Sequence, residues 1–178
     1  CLNTFSIRWL IPRLATFNKL YPEIDVQLNT RTSNKVRKDR GCKNNYDIVI
    51  EVCQKEELDP NTVVLFSEFL GPVISPTIST TTEIKKPQDL CHLTHLRANT
   101  RPDAWFSWCE KTSNYELVFK TESHFEHYYF SLEAARSGLG VCITPQHLVI
   151  DDINANKLIA PFSFTLSGLL YTAQVKLN

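Results

Sequence analysis

The sequence predicts an α/β protein of two lobes, and three observations carry that prediction. Stretches with the 3.6-residue period of an amphipathic helix alternate with short runs of β-branched and aromatic residues along the whole chain. The alternation falls into two sets, joined near Gly71 and again near Pro161. The length of 178 residues suits one large domain or two small lobes, and 43% hydrophobic against 21% charged residues is the balance of a globular chain, not of a disordered one.

In the first set, Ile7, Leu10, Ile11, Leu14, Phe17 and Tyr21 recur mostly at intervals of three and four, which predicts a helix closed by Pro22. Pro12 fits only a first turn, so the regular helix is expected from about residue 9. Ile24, Val26, Leu28 and Thr30 alternate with polar residues as a half-buried strand does. Residues 33–43, polar and basic, read as a short helix ended by Gly41, and 48–52 as a strand buried on both faces. Residues 63–66 and 69–74 predict two further strands, and Ser75-Pro76 with the threonine-rich stretch to Thr82 predicts a loop.

The second set repeats the style. It predicts a short helix at 87–91, a strand at 93–97, a helix at 104–111 with Trp105 and Trp108 on one side, and a strand at 115–121. Ser123 is placed to cap a helix running to Ser137, with Gly138 at its end. A strand at 141–143, a helix at 146–154 and strands at 158–164 and 169–175 follow. Strands alternating with helices imply parallel sheets with helices on both faces.

Several function classes are disfavoured. With 19 basic and 19 acidic residues the chain has no uniform positive field for phosphate, so strong nucleic-acid binding by these residues alone is not expected. No stretch approaches the roughly 20 apolar residues needed to cross a bilayer, and residues 1–8 lack the basic and apolar regions of a signal peptide, so no membrane association is expected. The cysteines at 1, 42, 53, 91, 109 and 142 form no CxxC pair and no dense framework, which favours reduced thiols; Cys53, Cys91, Cys109 and Cys142 lie in or beside apolar segments and read as packing residues.

No catalytic, metal or cofactor motif emerges. His92 and His95, and His124 and His127, are spaced three apart, but nothing supplies the remaining ligands of a tetrahedral site; the first pair reads as surface or strand-edge residues and the second as a helix first turn. GxSxG, GxGxxG and GxxxxGK[ST] are all absent. The adjacent carboxylates Asp151-Asp152 and Glu56-Glu57 would point apart and read as solvated faces. What remains is a set of hydroxyls and amides at strand-to-helix junctions: Thr4 and Ser6, Ser75 and Thr77, Asn99 and Thr100, and Ser123 with His124. Each alone reads as a helix cap; together they sit where open α/β sheets bind ligands, beyond the carboxyl ends of strands.

RWLIPRLATFNKLYPEIDVQL at 8–28, YDIVIEV at 46–52, PVISP at 72–76, the segment Pro87-Gln88-Asp89-Leu90, AWFSW at 104–108 and LEAARSGLGVCITPQHLVIDDINANKLIAPF at 132–162 stand in order along nearly the whole chain. Together they resemble the effector-binding, or substrate-binding, domain of LysR-type transcriptional regulators, most of all the subgroup that includes the glycine-cleavage and β-lactamase regulators. The resemblance implies two Rossmann-like lobes joined by two crossover strands, a fold like that of type 2 periplasmic binding proteins. It makes 1–71 plus 162–178 regulatory lobe I and 72–161 regulatory lobe II, with a small-molecule effector between them. It places effector contacts at Thr4, Ser6, Ser75, Thr100 and Ser123, all members of the hydroxyl set, and implies neither catalysis nor a cofactor.

The resemblance further implies a cytoplasmic homodimer or homotetramer, paired head to tail through the helices at 9–20 and 125–137. The second of these carries Phe125, Tyr128, Tyr129 and Leu132, a stripe that reads equally as lobe core or as interface. DNA would be reached only through a winged helix-turn-helix that is expected to lie outside these residues, as are most of the family's first strand and its final helix. A periplasmic solute-binding protein of the same fold is the alternative reading.

Overall fold

A computed structural model describes residues 2–30, 46–114 and 117–176; the helix expected at 33–43 and the first residues of the strand expected at 115–121 lie outside them. The described chain forms two compact units, one of residues 1–68 with 168–178 and one of residues 69–167. The strands, β1 (Ile48–Gln54), β2 (Thr62–Val73), β3 (His95–Ala98), β4 (Glu122–Phe125), β5 (Cys142–Pro145) and β6 (Thr165–Val175), form a sheet in the order β1-β6-β2-β5 and a second pair, β3-β4.

The first unit opens with α1 (Asn3–Phe5), a π-helical turn at Ser6–Leu10 and α2 (Ile11–Leu20), without a break. Helix therefore begins well before residue 9. Pro12 has no N–H and would crowd the carbonyl four residues back in a regular helix. The π turn immediately ahead, closed by a bond from Ile11 N–H to Ser6 O, re-spaces the carbonyls so that the proline falls in the first turn of α2. Phe5 from this helix stacks on Trp9 (5.0 Å between ring centres) and meets Tyr171 of β6 (5.3 Å), which stacks in turn on Phe66 of β2 (5.1 Å). These four rings form the core of the unit, and the Arg13 guanidinium lies 4.7 Å over Trp9. β1 runs antiparallel to β6, from Ile48 opposite Val175 to Gln54 opposite Leu169. Residues 24–30 form no strand, and Ile24 and Val26 are exposed: among the described residues no strand pairs with this alternation. α2 buries none of its residues.

β2 runs unbroken from the first unit into the second where two strands separated by polar Ser67 and Glu68 were expected, and Glu68 is fully buried inside it. β2 pairs antiparallel with β5, Gly71 opposite Thr144. The threonine-rich stretch is a helix, α3 (Pro76–Thr81), because Ser75 caps it and Pro76 suits its first position. β3, α4 (Ala104–Lys111) and β4 make a right-sized parallel crossover, with Ala98 opposite Phe125. β1–β6 and β2–β5 are antiparallel, so the sheets are mixed rather than wholly parallel. Ile74, Ile78, Leu90 and Val141 form a core against which Trp105, Phe119, Ile159 and Phe162 pack. The strand expected at 158–164 is reduced to one bridge between Ile159 and Ile74.

α5 (Tyr128–Arg136) starts later than expected, and Ser123 lies on β4, not at a helix cap. Of the stripe Phe125, Tyr128, Tyr129 and Leu132, Tyr128 and Leu132 are core while Phe125 and Tyr129 are half-buried. Gly138, at φ 79°, ends the helix in a Schellman turn: its N–H donates to Ala135 O and that of Leu139 to Ala134 O, each 3.0 Å. α6 (Ile150–Asn154) follows a 3₁₀ turn at Gln146–Leu148. Asp152 is buried beside the Arg136 Nε (3.7 Å), which corrects its reading as a solvated residue. Glu57 likewise has a local task, accepting the Gln54 N–H at 2.9 Å.

Candidate functional site

The five expected contact residues divide between the units, Thr4 and Ser6 in the first and Ser75, Thr100 and Ser123 in the second. Thr4 and Ser6 are both buried. Two positions apart on a helical backbone, their side chains leave in nearly opposite directions and cannot act as one pair. Ser6 Oγ donates to Leu2 O at 2.9 Å, so its proton is committed to the backbone. The Oδ1 of neighbouring Asn3 is buried with no hydrogen-bond partner among the described residues, a polar atom that sequence reading passed over.

The second unit brings two hydroxyls together. Ser75 Oγ lies 2.9 Å from Thr77 Oγ1 and accepts the Thr77 N–H at 3.4 Å. Ser75 is buried, while Thr77 is exposed. Gly138 presses against this pair from the end of α5: a Cβ there would stand 3.2 Å from Thr77 Oγ1. A small residue at 138 therefore keeps the exposed hydroxyl uncovered. Thr100 lies in the turn after β3 and Ser123 opposite Leu96 on β4, so one two-stranded sheet carries both. Asn99, its N–H donating to Phe125 O at 2.7 Å, fixes where that turn leaves the sheet.

The chemistry available here is hydrogen bonding. Burial pushes the Cys142 thiol up to about 12, against a bond to Ser131, and the Cys109 thiol up to about 11, with the nearby Cys91 adding to the effect. Neither supplies the thiolate that nucleophilic attack needs. Cys53, Cys91, Cys109 and Cys142 are all unbridged. Among the described residues no three His, Cys, Asp or Glu side chains gather to hold a metal ion, and no helix is long and apolar enough to cross a membrane.

Comparison with known proteins gives the arrangement a family. The profile of the LysR substrate binding domain matches residues 1–173. The chain is 32% identical over 160 residues to the HTH-type transcriptional regulator TrpI of Pseudomonas aeruginosa, covering 88% of this chain and 53% of that protein. It is 30% identical over 168 residues to the glycine cleavage system transcriptional activator of Escherichia coli, covering 93% and 53%. It thus spans about half the length of these relatives. In fold it is similar to the effector binding domain of AmpR from Citrobacter freundii, with TM-score 0.76 at 24% identity over 98% of this chain and 84% of the other. The fold is that of the type 2 periplasmic binding proteins, and the chain belongs to the LysR substrate-binding domain family.

Proposed function

We propose that this chain is the effector-sensing and dimerising part of a bacterial LysR-type transcriptional regulator, non-enzymatic and cytoplasmic. The observation that carries this reading is the Ser75–Thr77 hydroxyl pair, kept open beside Gly138, in a chain whose residues 1–173 match that family. The effector lies between lobe I (1–71 plus 162–178) and lobe II (72–161), and Thr4, Ser6, Ser75, Thr100 and Ser123 supply the hydroxyls that meet it. Neutral donors and acceptors suit a small carboxylate or amino-acid-like molecule, which they bind without fixing its charge. The relatives are named as transcriptional regulators, which favours this reading over a periplasmic solute-binding protein.

An effector that binds one arrangement of the lobes more tightly shifts the population toward it, by no more than its difference in affinity for the two. Pairing of two or four chains turns that shift into a change in spacing of DNA-binding domains supplied from outside these residues. The exposed Ile7 just before α2, Ile11 at the start of α2, which buries none of its residues, and Phe130 of α5 suit such pairing.

Calorimetry with a panel of free amino acids and small carboxylates tests the site. Ser75→Ala and Thr100→Ala are each expected to weaken the best binder about tenfold, the effect of losing a hydrogen bond of roughly 1.4 kcal/mol. Unchanged affinity in both variants would remove these positions from the site.

A further inference from the structure

His95, read from sequence as a surface or strand-edge residue, is the first residue of β3 and only 5% exposed. Its ring stacks on Phe119 (4.5 Å between centres, 29° apart) and tilts against Trp105 (5.2 Å), while its N–H donates to Thr121 O at 2.9 Å. Parallel register sets His95 opposite Glu122 and Arg97 opposite His124, so all four side chains share one face of β3–β4. Glu122 is the hub of that face. Its Oε1 lies 3.4 Å from His95 Nδ1, and its Oε2 lies 3.2 Å from an Arg97 guanidinium nitrogen and 3.6 Å from His124 Nε2.

Two of these contacts, those of His95 and Arg97, cross from β3 to β4, and the three partners of Glu122 differ in how they respond to protons. Arg97 is always charged, and His124 is largely solvated. His95 alone is enclosed. Of the elements around it, β3 contributes Arg97 and β4 contributes Glu122 and His124, whereas α4 and the 117–121 segment present Trp105 and Phe119, with Lys120 exposed. On α5 the charged Glu133 and Arg136 close on each other at 2.9 Å. The ring is held between apolar surfaces with one carboxylate at its edge.

We propose that His95 is a proton-operated latch: neutral, it stays in the ring stack and donates Nδ1–H to Glu122, and protonated, it leaves the stack and frees 117–125 from β3. Burial disfavours the imidazolium more than Glu122 favours it, so the enclosed ring binds a proton less readily than a free histidine. An opened segment restores the ordinary affinity. Opening therefore gains as pH falls to and below about 6.5, and above that value the latch stays shut. Burial alone would raise the Glu122 carboxyl, but Arg97 and His95 donating to it outweigh burial and hold it below the usual range, so Glu122 remains charged throughout this window. Ser123 adjoins Glu122 and would move with the segment.

Hydrogen exchange followed by mass spectrometry on this chain, at about pH 7.5 and about pH 5.5 and corrected for intrinsic rates, tests the latch. Amides of 117–125 are expected to lose protection roughly threefold or more on acidification, while those of α5 and β5 hold theirs. His95→Phe, which keeps an aromatic ring in the stack, is expected to abolish that dependence, and His124→Gln to retain it. Unchanged protection of 117–125, loss across the whole unit together, or persistence of the effect in His95→Phe overturns the proposal. Should His95→Phe not fold, the ring titration of His95 followed by NMR in the unaltered chain decides. A midpoint below about 6.5 that moves with the Phe119 and Ser123 amide signals supports the latch, and one at or above it overturns it.

Discussion

Gly140→Ala is expected to prevent the second unit from folding. A Cβ at this position would stand 2.0 Å from the carbonyl oxygen of Thr94 and 2.9 Å from its carbonyl carbon. The obstacle is backbone, which cannot turn aside as a flexible side chain could. That oxygen is also engaged, since it accepts the Val141 N–H at 2.9 Å while Val141 O accepts the Leu96 N–H at 2.9 Å. Relieving the overlap means parting β3 from residue 141, and Val141 belongs to the core with Ile74, Ile78 and Leu90. The cost combines overpacking with lost buried hydrogen bonds, about 4 kcal/mol or more, a large share of the roughly 5–15 kcal/mol that holds a domain. Urea unfolding followed by circular dichroism measures it. A cooperative transition within about 1 kcal/mol of the parent would show that the chain bypasses the contact.

Trp108→Ala is expected to cost about 3–5 kcal/mol. The indole is buried, lies 5.6 Å from the Trp105 ring and 6.3 Å from the Phe162 ring, and its Nε1–H donates to Ser163 O at 3.4 Å. Removing it leaves a cavity that α4, pinned by β3 and β4 at its two ends, cannot collapse to fill. Trp108→Phe should recover most of the loss, because it refills the volume and forgoes only a long hydrogen bond worth about 1 kcal/mol. Equal loss in the two variants would place the weight on the hydrogen bond instead of the packing.

What the sequence disclosed follows physical range. Trp105 and Trp108 on one side of α4, Gly138 at the end of α5 and a strand at 48–52 were legible because spacing, handedness and branching act over a few residues, but that strand lies at the sheet edge with none of its residues buried, not buried on both faces. The hydroxyls of Ser75 and Thr77 were legible as a pair because they stand two residues apart just after a strand. Failures came where distant residues decide. Ser123 looks like a cap, yet β3 holds residues 122–125 as a strand in parallel register, with Glu122 reaching across to His95 and Arg97. Glu68 looks like a break between strands because burial of a carboxylate is rare, and only its surroundings in the fold explain its place inside β2. The stretch after Ser75 is rich in threonine and reads as a loop, but a capping serine and a proline in the first turn outweigh weak propensity over one and a half turns. His95 was misplaced for the same reason as Ser123: its burial is made by Phe119 and Trp105, not by its neighbours in sequence.

The pairing of β1 with β6 also bears on the order in which the protein is made. The second unit is one continuous segment, residues 69–167, and can fold as soon as it emerges from the ribosome. The first unit draws its strands from both ends of the chain, Ile48 meeting Val175, and Tyr171 reaches the rings of Phe5 and Phe66 only when β6 has been synthesised. Until then β1 lacks its partner β6 and the rings of Phe5 and Phe66 lack Tyr171, while in the sequence the finished second unit separates the two parts of the first. Translation thus imposes a late closure on the slower, longer-range half of the molecule, and any interval before that closure is the period in which a nascent chain of this protein is most exposed to aggregation and to chaperones.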